Sequence, residues 1–147
     1  MLEASRATAT AQPVSDDDYV QLSRLVIEHA WRADHGRADT IHELYADDAE
    51  VDAWTVRGKE AIRALGKQIA DAPPWQAIRH VCGNMRFVKR GPDEAEGTTV
   101  LTIFMVAGDE AGTALPFRVG EDHDHFVRTK DGWRFLHRRH VELFPAA

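Results

Sequence analysis

Residues 114–143 read ALPFRVGEDHDHFVRTKDGWRFLHRRHVEL, and this stretch decides the fold. Asp131-Gly132 is a hairpin signal between two long runs rich in β-branched and aromatic residues, so Ala114–Thr129 and Trp133–Leu143 are predicted to be antiparallel strands. Two earlier runs, Ala77–Lys89 and Glu94–Val106, are parted by Gly91-Pro92 and followed by Gly108-Asp109 and Gly112. The hairpin thus extends backwards into a four-strand meander.

Upstream of the meander the apolar period becomes helical. Ser15 followed by Asp16, Asp17 and Asp18 starts a helix, because the hydroxyl caps a free N–H and the carboxylates face the positive end of the dipole. Tyr19, Leu22, Val26, His29, Ala30 and Ala33 place its inner face, and Gly36 ends it after about Ala33. Asp39 is expected to cap a short second helix with Ile41, Leu44 and Tyr45 inward. Asp47 and Asp48 then make a turn, and a strand covers Glu50–Thr55. Gly58 precedes a third helix, Lys59–Ala70, with Ile62, Leu65 and Ile69 on one side and Pro73-Pro74 as its stop. Three helices followed by a meander predict an α+β fold, with the helices on the concave face of a curved antiparallel sheet.

At 147 residues, 44% hydrophobic and 29% charged, the chain fits one globular domain. That domain is expected over residues 15–147. Residues 1–14, rich in Ala, Thr and Ser and lacking the apolar core of a signal peptide, are expected to form a disordered leader. A net charge of −6 disfavours a nucleic-acid partner. The single Cys82 makes no internal disulfide, and the apolar run Val100–Ala107 is too short for a bilayer. A cytoplasmic protein without a membrane partner is expected.

No phosphate-cradling glycine loop, nucleophile elbow or zinc-ligand spacing is present, which leaves acid–base chemistry. Eight histidines are available: 29, 35, 42, 80, 123, 125, 137 and 140. Asp34 follows the last turn of the first helix at the edge of its buried face, where a carboxylate needs a partner or a proton. His80 opens an apolar strand and shares a face with Cys82 and Asn84 if no bulge intervenes. The plain reading makes Asp34 a helix-end residue and His80 a hydrogen-bonded core residue. If the two meet, the carboxylate fixes the imidazole tautomer and stabilises its cation, leaving the other ring nitrogen as a base. Strand alternation sends Asp122 and Asp124 to one face and His123 and His125 to the other, so no metal centre is expected there. Arg128, Lys130, Arg134 and Arg139 read as a solvated basic face, with Arg138 set apart. Trp31, Trp54 and Phe126 are candidate pocket walls.

In order and spacing, five segments carry a family likeness: Arg32-Ala33-Asp34-His35-Gly36-Arg37-Ala38-Asp39, Leu44-Tyr45-Ala46-Asp47-Asp48-Ala49, Arg57-Gly58-Lys59-Glu60-Ala61-Ile62, the stretch His80–Asn84, and Asp131-Gly132-Trp133-Arg134-Phe135. Over about Asp16–Leu143 the chain resembles the SnoaL-like branch of the nuclear transport factor 2-like superfamily. That group includes scytalone dehydratase, ketosteroid isomerase, polyketide cyclases and hexachlorocyclohexane dehydrochlorinase. The resemblance implies a cone-shaped sheet with an apolar pocket, and commonly a homodimer through the outer sheet face. His123, His125 and Arg139 would be candidates for that interface.

The resemblance also implies a catalytic pair, Asp34 and His80, with His80 removing a proton during elimination. It places polar donors at His29 and Arg138, and a hydrogen-bonding aspartic acid at Asp124. The chain departs from the pattern at Ala53, where the isomerase has its base and the dehydratase a tyrosine, and at Ala33, where the dehydratase has its second tyrosine. A steroid isomerase is therefore disfavoured. The expected function is a small acid–base enzyme, a dehydratase or other elimination lyase or an isomerase, acting on an apolar cyclic molecule without metal or organic cofactor. Asp34 and His80 would be catalytic, and His29, Arg138, Asp124, Trp54 and Phe126 would bind substrate. The alternative is a non-catalytic small-molecule-binding or accessory-subunit protein of the same fold.

Overall fold

The computed structural model describes residues 11–72, 77–105 and 116–144. Helix α1 spans Asp16–Asp34. Its first turn is satisfied locally, since the Ser15 hydroxyl accepts from the Asp18 N–H at 3.2 Å and three aspartates face the positive end of the helix. Leu22, Leu25 and Val26 form its buried stripe, and the same stripe carries His29 and Asp34 inward. Gly36, with φ 69°, turns the chain out of the helix.

Four long strands follow in the second half: β3 (Ile78–Gly91), β4 (Glu94–Met105), β5 (Pro116–Thr129) and β6 (Gly132–Phe144). They pair antiparallel in sequence order, as the hairpin signal requires. Strand β1 (Tyr45–Val51) adds to β6, and the two-residue β2 (Val56–Arg57) adds to β1. The six-stranded sheet has the order β2-β1-β6-β5-β4-β3. Because β1 runs parallel to β6, the sheet is mixed at this edge and not wholly antiparallel.

The region between α1 and the meander departs furthest from expectation. The second helix is a 3₁₀ segment, Ala38–Leu44, whose N-cap is Arg37 and not Asp39. Ile41 and Leu44 are buried in it, but Tyr45 already belongs to β1, and Asp47 and Asp48 are exposed residues of that strand. The strand expected over Glu50–Thr55 breaks at a 3₁₀ turn, Asp52–Trp54, and Thr55 takes a left-handed conformation with φ 53°. Pairing with β6 sets these limits: Tyr45 lies opposite Phe135 and Val51 opposite Arg138, so β1 covers only that stretch of its longer partner. Helix α2 covers Lys59–Asp71 and buries Ile62. Pro73-Pro74 and the Gly108-Asp109 and Gly112 breaks lie outside the described residues.

Residues 12–14, assigned above to a disordered leader, lie along the free edge of β3. Lys89 N–H donates to the Gln12 carbonyl at 2.8 Å and Val14 N–H to the Phe87 carbonyl at 3.3 Å. This pairing covers donors and acceptors that an edge strand leaves open.

Two bulges set what the sheet shows to each side. Between Gly83 and Arg86 strand β3 gains one residue over β4, and Asn84 adopts φ 46°. His80 and Cys82 therefore share the inner face with Phe87, while Asn84 is exposed and does not join them. In β6 an extra residue, Leu136, falls where Phe126 pairs with Phe135 and His125 with His137. Inward positions change there from Trp133 and Phe135 to Arg138 and His140.

Phe87, Phe126, Phe135 and Tyr45 form a chain of rings at centroid distances of 5.7, 5.1 and 5.1 Å. Phe126 is wholly buried in that chain and is a core residue, not a pocket wall. No helix among the described residues is long and apolar enough to cross a membrane.

Candidate active site

Between α1, the 3₁₀ segments and the inner face of the sheet lies a cavity of about 270 Å³. Its apolar wall includes Val26, Ile41, Val51, Trp54, Leu101 and Ile103. Against this wall stand His29, His80, Asp122, Arg138 and His140. A few converging polar groups in a mostly apolar hollow is the usual construction of a small-molecule site.

Asp34 and His80 meet at the end of α1. One Asp34 oxygen, Oδ2, accepts from the His80 backbone N–H at 2.8 Å, and the other, Oδ1, lies 2.5 Å from His80 Nδ1. An ionised carboxylate only accepts, so Nδ1 carries the hydrogen and Nε2 is the ring nitrogen left for the cavity. The backbone contact fixes the carboxylate relative to β3, and the side-chain contact fixes the ring. His80 lines the cavity, whereas Asp34 stands behind it and does not. Arg79 donates to the Asp34 carbonyl at 3.1 Å, closing one of the free carbonyls at the helix end.

A second polar group is built around Arg138, which the bulge in β6 turns inward. Its Nε and Nη2 donate to both oxygens of Asp124 at 2.8 and 2.9 Å, and Nη2 lies 3.3 Å from Asp122 Oδ2. Burial disfavours the guanidinium charge, but the two carboxylates outweigh it and hold the Arg138 pKa well above its usual value. Burial also pushes the Asp124 carboxyl up, against the pull of Arg138. With both oxygens accepting from the guanidinium, Asp124 is the partner of Arg138 and does not line the cavity. Its expected place as a substrate donor is corrected accordingly.

His29 lies 2.9 Å from the Tyr45 hydroxyl through Nε2. Burial, with Arg138 adding to it, holds the His29 pKa well below the usual 6.5, so the ring is neutral. The unfolded chain takes up a proton here that the folded chain refuses, so stability falls as pH drops. From about pH 7 to about pH 5 the unfolding free energy should lose up to about 1.4 kcal/mol per pH unit from this group. His29→Gln should flatten that slope in urea titrations, and an unchanged slope would contradict the neutral buried ring.

Burial pushes the Cys82 thiol up to about 11, so at neutral pH it is a protonated lining group and not a nucleophile. Ala33 and Ala53, the two positions of departure from the dehydratase pattern, both line the cavity with methyl groups. Trp54 lines it as expected and stacks on His29 at 6.3 Å. Trp31 does not, being half-exposed and stacked on His35 at 4.3 Å.

Sequence reasoning did not single out Asp122, His140 or the phenol of Tyr45. The Asp122-His123-Asp124-His125 alternation did carry a usable signal, since it sends both aspartates inward. Glu50, Asp52 and His137, at the β1–β6 edge, bring ligand atoms within 4.8 Å of one another. Those groups are already paired, Glu50 with Arg57 and His137 with Asp52.

The SnoaL-like domain family matches residues 16–139. An uncharacterized protein of Mycobacterium tuberculosis (strain ATCC 25618 / H37Rv) is 26% identical over 131 residues, covering 86% of each chain. Among solved structures, a nuclear transport factor 2-like protein with a cystatin-like fold from Novosphingobium aromaticivorans is 25% identical, with a TM-score of 0.72, over 89% of this chain and 85% of that one. Aln2 from a Streptomyces species is 18% identical with a TM-score of 0.75, over 89% and 94%, and shares the fold.

Proposed function

We propose, for a chain that belongs to the SnoaL-like domain family, that the cavity is a cofactor-independent acid–base site acting on an apolar cyclic molecule by dehydration, a related elimination or isomerisation. The observation that carries this reading is the Asp34–His80 pair, with the carboxylate holding Nδ1 and the backbone at once. His80 Nε2 takes the proton, Asp34 stabilises the imidazolium that forms, and neutral His29 with cationic Arg138 stabilises charge developing on a carbonyl or leaving oxygen. The family has polyketide cyclases and dehydratases among its members, which agrees with this chemistry.

The test is a titration of the His80 ring followed by NMR with and without hydroxylated polycyclic ligands, combined with product analysis. Perturbation of His80 together with turnover supports the reading. Binding without turnover of any ligand makes the chain a binding or accessory protein.

We also propose a homodimer through the outer sheet face. This face carries a groove of about 300 Å³ with His123, His125, His137 and Arg139 in its lining, and no described helix packs over it. His123 lies 2.8 Å from Glu121 and His125 2.8 Å from Glu94 on this face, which a second copy could cover. Sedimentation at micromolar concentration should show a dimer, and a monomer there would overturn this assembly.

A further inference from the structure

The cavity contains a second aspartate–histidine pair, on β5 and β6, away from the β3 edge where α1 ends. Asp122 on β5 lies directly opposite His140 on β6, and both side chains line the cavity. Asp122 Oδ1 is 2.8 Å from His140 Nδ1, while its other oxygen lies 3.3 Å from Arg138 Nη2. Burial works against the charge of Asp122, but Arg138 and His140 hold its carboxyl below the usual range. The carboxylate is therefore ionised and accepts, so His140 carries a hydrogen on Nδ1 and offers Nε2 as its second proton site.

The backbone beneath this ring is shaped to receive it. A Cβ on Gly120 would lie 2.3 Å from His140 Cε1 and 2.5 Å from its Nε2. The imidazole thus occupies the space that any side chain at 120 would fill. In the sheet register Gly120 follows Leu101 and Cys82 in one row, and His80 is one inward step along β3 from Cys82. With strands about 4.8 Å apart, the β3 and β5 backbones are separated by about 10 Å. One imidazole therefore stands at each side of the cavity floor, and each is set in the same tautomer by its own carboxylate.

We propose that His140, held by Asp122, is a second proton-transfer residue of the cavity, and that the substrate is a β-hydroxy carbonyl compound whose acidic carbon faces His80 and whose hydroxyl faces His140. This rests on the acid–base reading of Asp34 and His80 given above. His80 Nε2 takes the proton from the carbon next to the carbonyl, and the C–H electron pair becomes the new C=C bond. The C–O bond breaks, and the departing oxygen takes the Nε2 proton of the His140 imidazolium and leaves as water. His80 ends protonated and His140 neutral, and exchange with solvent restores both. The carbonyl oxygen is left to His29 and Arg138.

Two probes separate the steps. Cyclohexanone in D₂O reports exchange at the carbon next to the carbonyl, which needs only His80. 3-Hydroxycyclohexanone reports loss of water, which needs both residues. His80→Ala should lose both reactions. His140→Gln should lower water loss on the order of a hundredfold, at least tenfold more than it lowers exchange. Gly120→Ala, which keeps the imidazole but displaces it, should show the same unequal loss. If the two reactions fall together, or neither falls, in a folded His140→Gln protein, the role of His140 is overturned while that of His80 stands. A wild-type protein that exchanges but does not eliminate also overturns only His140, and one that catalyses neither overturns both readings.

Discussion

Asp34→Asn lowers turnover on the order of a hundredfold or more, and His80→Ala lowers it at least as far, with both proteins remaining folded. The effect of the amide follows from the two contacts that Asp34 makes. Its remaining oxygen can still accept from the His80 backbone N–H, which sits 2.8 Å from Oδ2. The amide nitrogen then faces Nδ1, and as a donor it requires Nδ1 to become the acceptor. The hydrogen moves to Nε2, the atom that must take the substrate proton, and the neutral ring is no longer a base on the cavity side. The charge that would stabilise the imidazolium is also lost. Geometry survives while chemistry does not, so circular dichroism and thermal unfolding should change little beside the rate. His80→Ala instead removes the base and leaves the carboxylate's Oδ1 without its ring partner. If a substrate is found and both folded variants keep near-full turnover, the pair is structural and the binding-protein reading is the better one.

Much of this arrangement was legible in the sequence. Ser15 and the three aspartates after it announced the start of α1, and the apolar period placed His29 on its buried stripe. Asp131-Gly132 and the other breaks gave the four strands of the meander to within two residues at each end that can be compared. Asp34 stood where a carboxylate needs a partner or a proton, but the residues alone paired it with His80 only conditionally, and the family resemblance supplied the pair. What could not be read was parity beyond a bulge. Strict alternation puts Asn84 beside Cys82, but the left-handed Asn84 shifts the register, and Phe87 takes the inward place. In β6, alternation from Trp133 and Phe135 points His137 and Arg139 inward. The extra residue at Leu136 sends Arg138 and His140 there instead. The bulge costs little along one strand and depends on the partner strand, so local propensity holds no trace of it. Asp39 and the aspartates at 47 and 48 misled for a related reason. They are good cap and turn residues, but parallel pairing with β6 fixed where β1 begins. Asp124 and Phe126 were placed on the correct face of β5 but at the wrong depth. Both are inward, yet one is consumed by Arg138 and the other by the aromatic core.

Arg138→Leu should destabilise the fold by about 3–5 kcal/mol at neutral pH, more than any cavity-lining apolar change of similar size would suggest. The cost does not arise from the pair being strongly stabilising, since bringing three charges out of water offsets most of their attraction. It arises from what is left behind. Asp124 and Asp122 are both under a tenth exposed, and Arg138 is the cation that reaches both. Asp122 keeps His140, but Asp124 loses both of its hydrogen bonds. Leu stops short of the place over the Phe135 ring where the guanidinium carbon now lies, 4.4 Å from the centroid, so lost packing adds to the charge effect. The sign of the pH dependence separates the charge effect from a packing effect. An unpaired buried carboxylate has a folded pKa above its unfolded one, so its penalty is full at neutral pH and is relieved as pH falls through the folded value. The gap between wild type and variant, measured by urea denaturation, should therefore narrow on acidification. Adding Asp124→Asn to Arg138→Leu should recover part of the loss at neutral pH, because a neutral amide is cheaper to bury than an unpaired charge. A gap that is constant with pH, or a double variant no better than the single one, would mean that the carboxylates are not what Arg138 holds in place.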